Sequence, residues 1–224
     1  GTDPGDSTGS SGTESEIPTT GTTETPSQPS GSGNNSASQT MPAQNNGRQS
    51  VPPAGTILTD NRTKAVYMVT EPGISVAYAK NLNTKAKAIT IPSAVTIGNV
   101  TYKVTSIGNK AFKNNKKLKK VSIASSITNI GNSAFQNCMK LKKVTIPAQV
   151  KKIGKKAFYN CKNLQSVLVK AKKLTAKSVG NKAFTKAGSN NYRKLKVKVP
   201  SKKYESYSKI FRKKGLSSKV KIIR

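Results

Sequence analysis

Apolar residues recur along this chain at a nearly fixed step. The phrase Ile-Gly-x-x-Ala-Phe starts at positions 107, 130 and 153, and a fourth copy with Val for Ile starts at 179. The first three copies are 23 residues apart, and each is followed by a Leu and an alternating Val-x-Ile or Val-x-Val pair. Such a period predicts stacked units that are too small to close a core alone and that together bury a continuous one.

Each unit has a predicted local structure. The Val-x-Ile segment alternates and is β-branched, which is typical of a short strand, and Pro147 ends one of these strands. We expect the strands of successive units to lie in parallel, about 4.8 Å apart. The Gly after each Ile is expected to turn the chain, and Ala134 and Phe135 to point inward from one helical or 3₁₀ turn. The predicted repeat core is Ile107, Phe112, Leu118, Ile130, Phe135, Leu141, Ile153, Phe158, Leu164 and Phe184.

The segment before the repeats has a different pattern. Residues 88–92 (AITIP) predict the first strand of the series, with an insertion between them and the first Ile-Gly. Residues 65–69 and 74–79 alternate around Glu-Pro-Gly and predict a β-hairpin. We therefore assign residues 56–87 to an N-terminal hairpin cap, which would cover the otherwise open end of the stack.

The segment after the repeats predicts a helix and a strand. Ser201 is a suitable N-cap for an amphipathic helix beginning near Lys202, because its side-chain oxygen accepts a hydrogen bond from a free N–H. Gly215 suits the position just past the helix end, and residues 219–223 predict a last edge strand. Residues 201–224 are therefore predicted to form a helix-strand cap.

One motif combines these features, C-x-x-L-x-x-V-x-I-P-x-x-V-x-x-I-G-x-x-A-F. It is carried by Cys138, Leu141, Val144, Ile146, Pro147, Val150, Ile153, Gly154, Ala157 and Phe158. This motif resembles the BspA-like class of leucine-rich repeats, and the resemblance covers about residues 88–200. It implies an α/β solenoid, a right-handed leucine-rich repeat of about 23-residue units with short parallel strands. It also implies a bacterial cell-surface or secreted protein, because members of the family are commonly adhesins.

Composition divides the chain in two. Residues 1–50 are rich in Gly, Ser, Thr, Pro, Asn and Gln and contain no aromatic residue, so we predict a disordered linker over residues 1–55. Residues 51–224 carry 39 Lys and Arg against three carboxylates, a net charge of +36. This excess predicts an affinity for polyanions and favours a monomer at low salt. No apolar run is long enough to predict a transmembrane segment.

Catalytic and metal-binding side chains are scarce. The chain has no His, and after residue 60 its only carboxylates are Glu71 and Glu205. Because general acid–base catalysis and zinc sites need such groups close together, we predict no enzyme, no metal site and no cofactor. Cys138 and Cys161 align by the period with Asn115 and Asn191 and are expected to form a buried column. We expect reduced thiols there, and a disulfide is the alternative.

The residues that the repeat leaves free are mostly lysines. A candidate binding stripe on the exposed strand face comprises Lys119, Lys120, Lys142, Lys143, Lys196 and Lys198, interrupted by Gln165 and Ser166. The alternative is that these lysines only keep a repetitive protein soluble.

Two functions fit this stripe. The first is a non-enzymatic surface module, an adhesin, which binds an anionic glycan, a wall polymer or an acidic protein. The second is an envelope-retention domain held electrostatically by the cell's own anionic wall polymers. No specific nucleic-acid partner is predicted, because the sequence has no known nucleic-acid-binding motif and its Phe residues belong to the core.

Overall fold

A computed structural model describes residues 50–224. The predicted linker lies almost entirely outside the described residues. Residues 53–55 form a turn in which the Gly55 N–H donates to the Val69 carbonyl at 2.8 Å. No helix in the described part of the chain is both long and apolar enough to cross a membrane.

Six strands form a parallel sheet that runs through all the repeats. The order is β13-β12-β11-β9-β7-β4, and every neighbouring pair is parallel. Val144 pairs with Val167, and Val167 with Val197, so equivalent Val residues lie in register. The strands are β4 (Ala88–Ile91), β7 (Lys120–Ile123), β9 (Lys143–Ile146), β11 (Ser166–Val169), β12 (Lys196–Lys198) and β13 (Lys221–Ile223).

A second sheet was not predicted for the repeats. Its order is β1-β2-β3-β6-β8-β10, with β5 paired to β6, and its members β8 and β10 are two-residue strands at the Ile-Gly positions. Ile130 pairs with Ile153 across them, 23 residues apart. The strands are β1 (Ile57–Asp60), β2 (Ala65–Glu71), β3 (Ser75–Asn81), β5 (Ala94–Ile97), β6 (Val100–Ile107), β8 (Asn129–Ile130) and β10 (Lys152–Ile153).

The predicted hairpin over residues 65–79 is present as β2 and β3, which pair in antiparallel orientation. A second hairpin joins β5 to β6, where the sequence suggested only an insertion. Gly98 has φ +61 and is the first residue of its two-residue turn, which is the position where a type II′ turn favours Gly. β6 continues from this hairpin into the repeats, because it pairs in parallel with both β3 and β8.

The Ala-Phe segment is a series of turns, and the predicted single 3₁₀-type turn is one of them, because the Gln136 N–H donates to the Ser133 carbonyl at 3.1 Å. It does not extend into a helix, because Ser133 and Asn137 have φ of 55° and 61° and a helix requires negative φ at every residue. Ala134 and Phe135 point inward, as predicted, and are fully buried. The Phe135 N–H donates to the Ala157 carbonyl of the next unit at 2.8 Å, so this side of each unit also bonds to its neighbour.

The ten predicted core residues are all buried. Their Phe rings form a stack in which adjacent ring centroids lie 5.0–5.5 Å apart, in the order Phe112, Phe135, Phe158 and Phe184. Tyr78 of β3 stacks on Phe112 at 5.1 Å and Phe211 lies 5.0 Å from Phe184, so the segments before and after the repeats continue the column.

The helix α1 (Tyr204–Lys213) follows a 3₁₀ turn over Ser201–Lys203. Ser201 lies inside this turn and makes no capping hydrogen bond, so its predicted N-cap role is wrong. The predicted role of Gly215 is confirmed: its φ is +98°, and its N–H donates to the Arg212 carbonyl at 3.1 Å. With the bond from the Leu216 N–H to the Phe211 carbonyl, this is a Schellman motif.

Candidate functional site

Four lysines lie in one row across the exposed face of the six-stranded sheet. Lys120 pairs directly with Lys143, and Lys196 pairs with Ser166 on one side and with Lys221 on the other. Ser166 in turn pairs with Lys143. We call this row, from Lys120 through Lys143, Ser166 and Lys196 to Lys221, the lysine column. All four of its lysines are exposed, because they alternate with buried Val and Ile residues along their strands.

The structure changes the predicted stripe at two positions. Lys198 pairs with Leu168, not with Ser166, so it lies outside the lysine column, one row away on the same exposed face of the sheet. Lys221, which was not predicted for the stripe, pairs with Lys196 and belongs to the lysine column. The sequence feature that could have revealed Lys221 is the predicted last strand, because a strand adjacent to β12 must place some residue opposite Lys196.

Lys119 and Lys142 extend the positive charge beyond the strand ends. The Lys142 N–H donates to the Lys119 carbonyl at 3.0 Å, and the Gln165 N–H donates to the Lys142 carbonyl at 2.8 Å. Both side chains are exposed. Four lysines therefore lie together at the N-terminal ends of β7 and β9. We call this group, Lys119, Lys120, Lys142 and Lys143, the lysine quartet.

The lysine quartet borders a groove of about 560 Å³ that lies along β7 and β9. The same groove is lined by Ser122 and Ile123 of β7 and by Thr145 of β9. Val121 and Val144 complete the lining. This β7–β9 groove thus combines cationic, hydroxyl and apolar groups in one place.

The lysine column lacks anionic neighbours from the described part of the chain. One ion pair forms among residues 50–224. It joins Arg62 to Asp60, with 3.5 Å between the Arg62 Nε and an Asp60 carboxylate oxygen, and includes no lysine of the column. Burial would raise the pKa of Asp60, but hydrogen bonds from Thr63 and from backbone N–H groups hold it below its ordinary value. Like charges that lie directly opposite on neighbouring strands destabilise a sheet. The Lys120–Lys143 pair therefore costs stability when no anion is bound.

Both cysteines lie in a buried column, and three of the four residues predicted for this column are buried. Asn115, Cys138 and Cys161 are buried, and each thiol donates a hydrogen bond to a Phe carbonyl of the preceding unit at 3.1 Å. Both thiols are free. Asn191 was wrongly assigned to this column because it is exposed. Ala187 fills the position, since it follows Phe184 by three residues as Cys161 follows Phe158.

Burial keeps both thiols protonated at neutral pH. It raises the pKa of Cys138 to about 12, from an ordinary value of 9.0, and that of Cys161 also rises well above 9.0. A thiol acts as a nucleophile or metal ligand through its thiolate, which is scarce at such pKa values. In the described residues, no three His, Cys, Asp or Glu side chains lie close enough together to hold a metal ion.

Comparison with known proteins supports the repeat assignment. The BspA type leucine rich repeat region, in six copies, matches residues 82–217. No curated protein matches the chain significantly in sequence. Five solved chains match, and two of them have TM-scores above 0.5.

The first of these structures is a leucine rich cell surface protein from Faecalibacterium prausnitzii A2-165. It is 32% identical, with a TM-score of 0.54, over 65% of this chain and 37% of that protein. The second is a leucine-rich repeat protein of T. pallidum, which is 24% identical with a TM-score of 0.51 over 74% of this chain and 64% of that protein. The chain thus spans less than two thirds of either protein's length. With the family match over residues 82–217, the chain belongs to the BspA type leucine-rich repeat family.

Proposed function

We propose that this protein is a non-enzymatic interaction module at a bacterial cell surface, or secreted from it, which binds an anionic polymer through its lysine column. The observation that carries this proposal is the row of four exposed lysines in register across β7, β9, β12 and β13. Leucine-rich repeats are typically interaction modules, and one relative of similar fold is a cell surface protein. The proposal takes the repeats as a right-handed solenoid with a hairpin cap and a helix-strand cap.

The spacing of the lysine column suits a linear polyanion. Adjacent parallel strands lie about 4.8 Å apart, so Lys120 and Lys221, four strand steps apart, are separated by about 19 Å. A polymer lying across the strands would place successive anionic groups against successive lysines. It would also remove the repulsion between Lys120 and Lys143. Relief of this repulsion, which costs stability in the free protein, would add to the free energy of binding.

The chemistry of the face favours a glycan or wall polymer over a nucleic acid. A single-stranded nucleic acid gains much of its affinity by stacking bases on exposed aromatic rings. Here the stacked Phe rings of the repeats are fully buried and unavailable to a ligand. Sulfated or sialylated glycans, teichoic-type wall polymers and acidic proteins remain as partners, and binding should weaken as salt screens the lysines.

A charge-reversal experiment tests the role of the lysine column. Binding of a sulfated glycan is measured at physiological salt for the wild-type protein and for Lys120→Glu/Lys143→Glu. The matched control is Lys151→Glu/Lys152→Glu, which changes the net charge equally at two exposed lysines outside the six-stranded sheet. We expect at least a tenfold loss for the first variant and a smaller loss for the control. Equal losses in the two variants would refute a localised binding face.

Envelope retention is the second candidate function. Its support is that exposed lysines also lie away from the lysine column, as at Lys151, Lys152 and Lys155. A domain with charge on every side would be held by the cell's own anionic wall polymers with no preferred face. If this is the function, moderate salt should release the protein from its own cells, and both charge-reversal variants should be released at equally reduced salt.

A further inference from the structure

The six-stranded sheet opens between β7 and β9. β4 pairs with β7 at four positions, and β9 pairs with β11 at four positions. Between β7 and β9, in contrast, the only registered pair is Lys120–Lys143. The β7–β9 groove begins at the registered Lys120–Lys143 pair and continues along the unregistered part of these two strands to Ile123 and Thr145. Two independent features, strand pairing and open volume, therefore coincide.

Pro147 provides a physical reason for this opening. In the unit before it, the Ala124 N–H donates to the Ile91 carbonyl at 3.2 Å, and in the unit after it the Lys170 N–H donates to the Ile146 carbonyl at 2.9 Å. Pro147 stands at the equivalent position between them and has no N–H to donate. The Ile123 carbonyl therefore lacks the hydrogen bond that would close the strands at this end.

The chemistry of the groove changes along its length. At one end the lysine quartet lines the groove with four cationic side chains, which suit a carboxylate, sulfate or phosphate group. Further along, Ser122 and Thr145 offer hydroxyl groups that both donate and accept hydrogen bonds. The Ile123 carbonyl, without its usual donor, is an additional acceptor. A matching ligand thus needs one anionic group next to several hydroxyl groups.

We infer that the β7–β9 groove binds one anionic polyol unit, either an acidic sugar or a polyol phosphate. Its anionic group lies among the lysine quartet, and its hydroxyl groups lie against Ser122 and Thr145. This inference rests on the proposed function and adds a unit-specific site to it. The lysine column holds the polymer by charge, and the groove selects the chemistry of one of its units. A groove of about 560 Å³ is within the usual size range of small-ligand sites.

The test uses small probes that lack the polymer. Glucuronate and glycerol 1-phosphate are titrated separately into the full chain, with glucose and inorganic sulfate as controls, and amide chemical shifts are followed by NMR. We expect at least one of the two anionic polyols to shift resonances of β7 and β9, and the two titrations distinguish a sugar acid from a polyol phosphate. Glucose should cause no shifts, and sulfate should bind at least fivefold more weakly than the preferred polyol.

Two variants make the test specific to the groove. Ser122→Val/Thr145→Val removes the hydroxyl groups and keeps the lysines, so it should weaken polyol binding at least fivefold and leave sulfated-glycan binding within twofold. The matched control Thr90→Val removes an exposed hydroxyl group on β4, outside the groove, and should have no effect. Pro147→Ala restores an N–H, so its new amide should be protected from hydrogen exchange and polyol binding should again weaken.

The outcomes separate the two proposals. If sulfate binds as tightly as the polyols, or if the hydroxyl variants bind like the wild type, the groove has no polyol specificity and this inference fails. The lysine column would still stand in that case if Lys120→Glu/Lys143→Glu loses polymer binding. If the polymer does not bind the wild type at all, the proposed function fails, whatever the small probes show.

Discussion

Gly131 and Gly154, which follow Ile in two successive repeats, are required by close approach to the backbone of the preceding unit, and Gly154→Ala tests this. A Cβ atom built at Gly154 would lie 2.5 Å from the Asn132 N and the Gly131 C atoms. Because both are backbone atoms, no side-chain rotation relieves the contact. Gly154 is not among the residues with positive φ, so conformational freedom is not the reason for Gly here.

The cost follows from the displacement that the methyl group demands. Ordinary van der Waals contact begins near 3.4 Å, so the two units must separate by about 0.9 Å at this point. Such a separation strains the bond from the Gly154 N–H to the Ile130 carbonyl, which is now 2.8 Å long. Overpacking costs about 1–3 kcal/mol and a weakened hydrogen bond about 1 kcal/mol, so we expect Gly154→Ala to lose about 3 kcal/mol of unfolding free energy.

Chemical denaturation followed by circular dichroism measures this loss. The matched control is Gly108→Ala, at the same position of an earlier unit, where the nearest atom to a built Cβ is 3.1 Å away. Its expected cost is about 1 kcal/mol or less, because a few tenths of an ångström suffice to relieve the contact. If the two variants have the same stability, the close approach of backbones does not explain the recurring Gly.

Three further predictions concern the repeat interior. Phe135→Ala should cost about 3–5 kcal/mol in denaturant melts and Phe135→Leu clearly less, because Leu refills most of the volume between two stacked rings. Asn137→Ala should cost about 2 kcal/mol, since it loses side-chain bonds to both neighbouring units at a residue with φ 61°, and Asn137→Gly should recover part of that cost. Burial raises the pKa of Cys138 to about 12, so its contribution to stability is complete below pH 9.0 and should decline above it by about 1.4 kcal/mol per pH unit. Because the raised pKa of Cys161 gives a decline of its own, Cys138→Ala should make the slope of unfolding free energy against pH above 9.0 shallower by about 1.4 kcal/mol per pH unit without abolishing it, and an unchanged slope would contradict the assignment.

Much of the repeat architecture was predictable because each repeat shows the same pattern. The parallel strands of the repeats and the buried Phe in each repeat follow from periodicity. The role of Gly215 follows from local backbone preference. Prediction was weaker where a single residue decides local conformation. Ser133 and Asn137 adopt positive φ, so the predicted single turn between them does not extend into a helix, and neither residue type demands this by itself.

The candidate site divides in the same way. The period alone places Lys120 opposite Lys143, since the two are one repeat apart and strands in register must align them. It could not place Lys196, Lys198 or Lys221, because the polar insertion before β12 breaks the period. Counting backwards from β12 placed Asn191 in the buried column, which is wrong. Counting forwards from Phe184 gives Ala187, so the inserted residues lie between Ala187 and Asn191.

The sequence by itself thus determined the repeat, the core residues and the excess of positive charge, because each depends only on residue type and spacing. The tertiary structure alone decided which lysines share one row, since register after an insertion depends on how the neighbouring strand packs. It also decided where the sheet opens. A missing N–H at Pro147 is visible in the sequence, but its consequence is apparent only when β7 and β9 lie side by side and pair at Lys120–Lys143 alone.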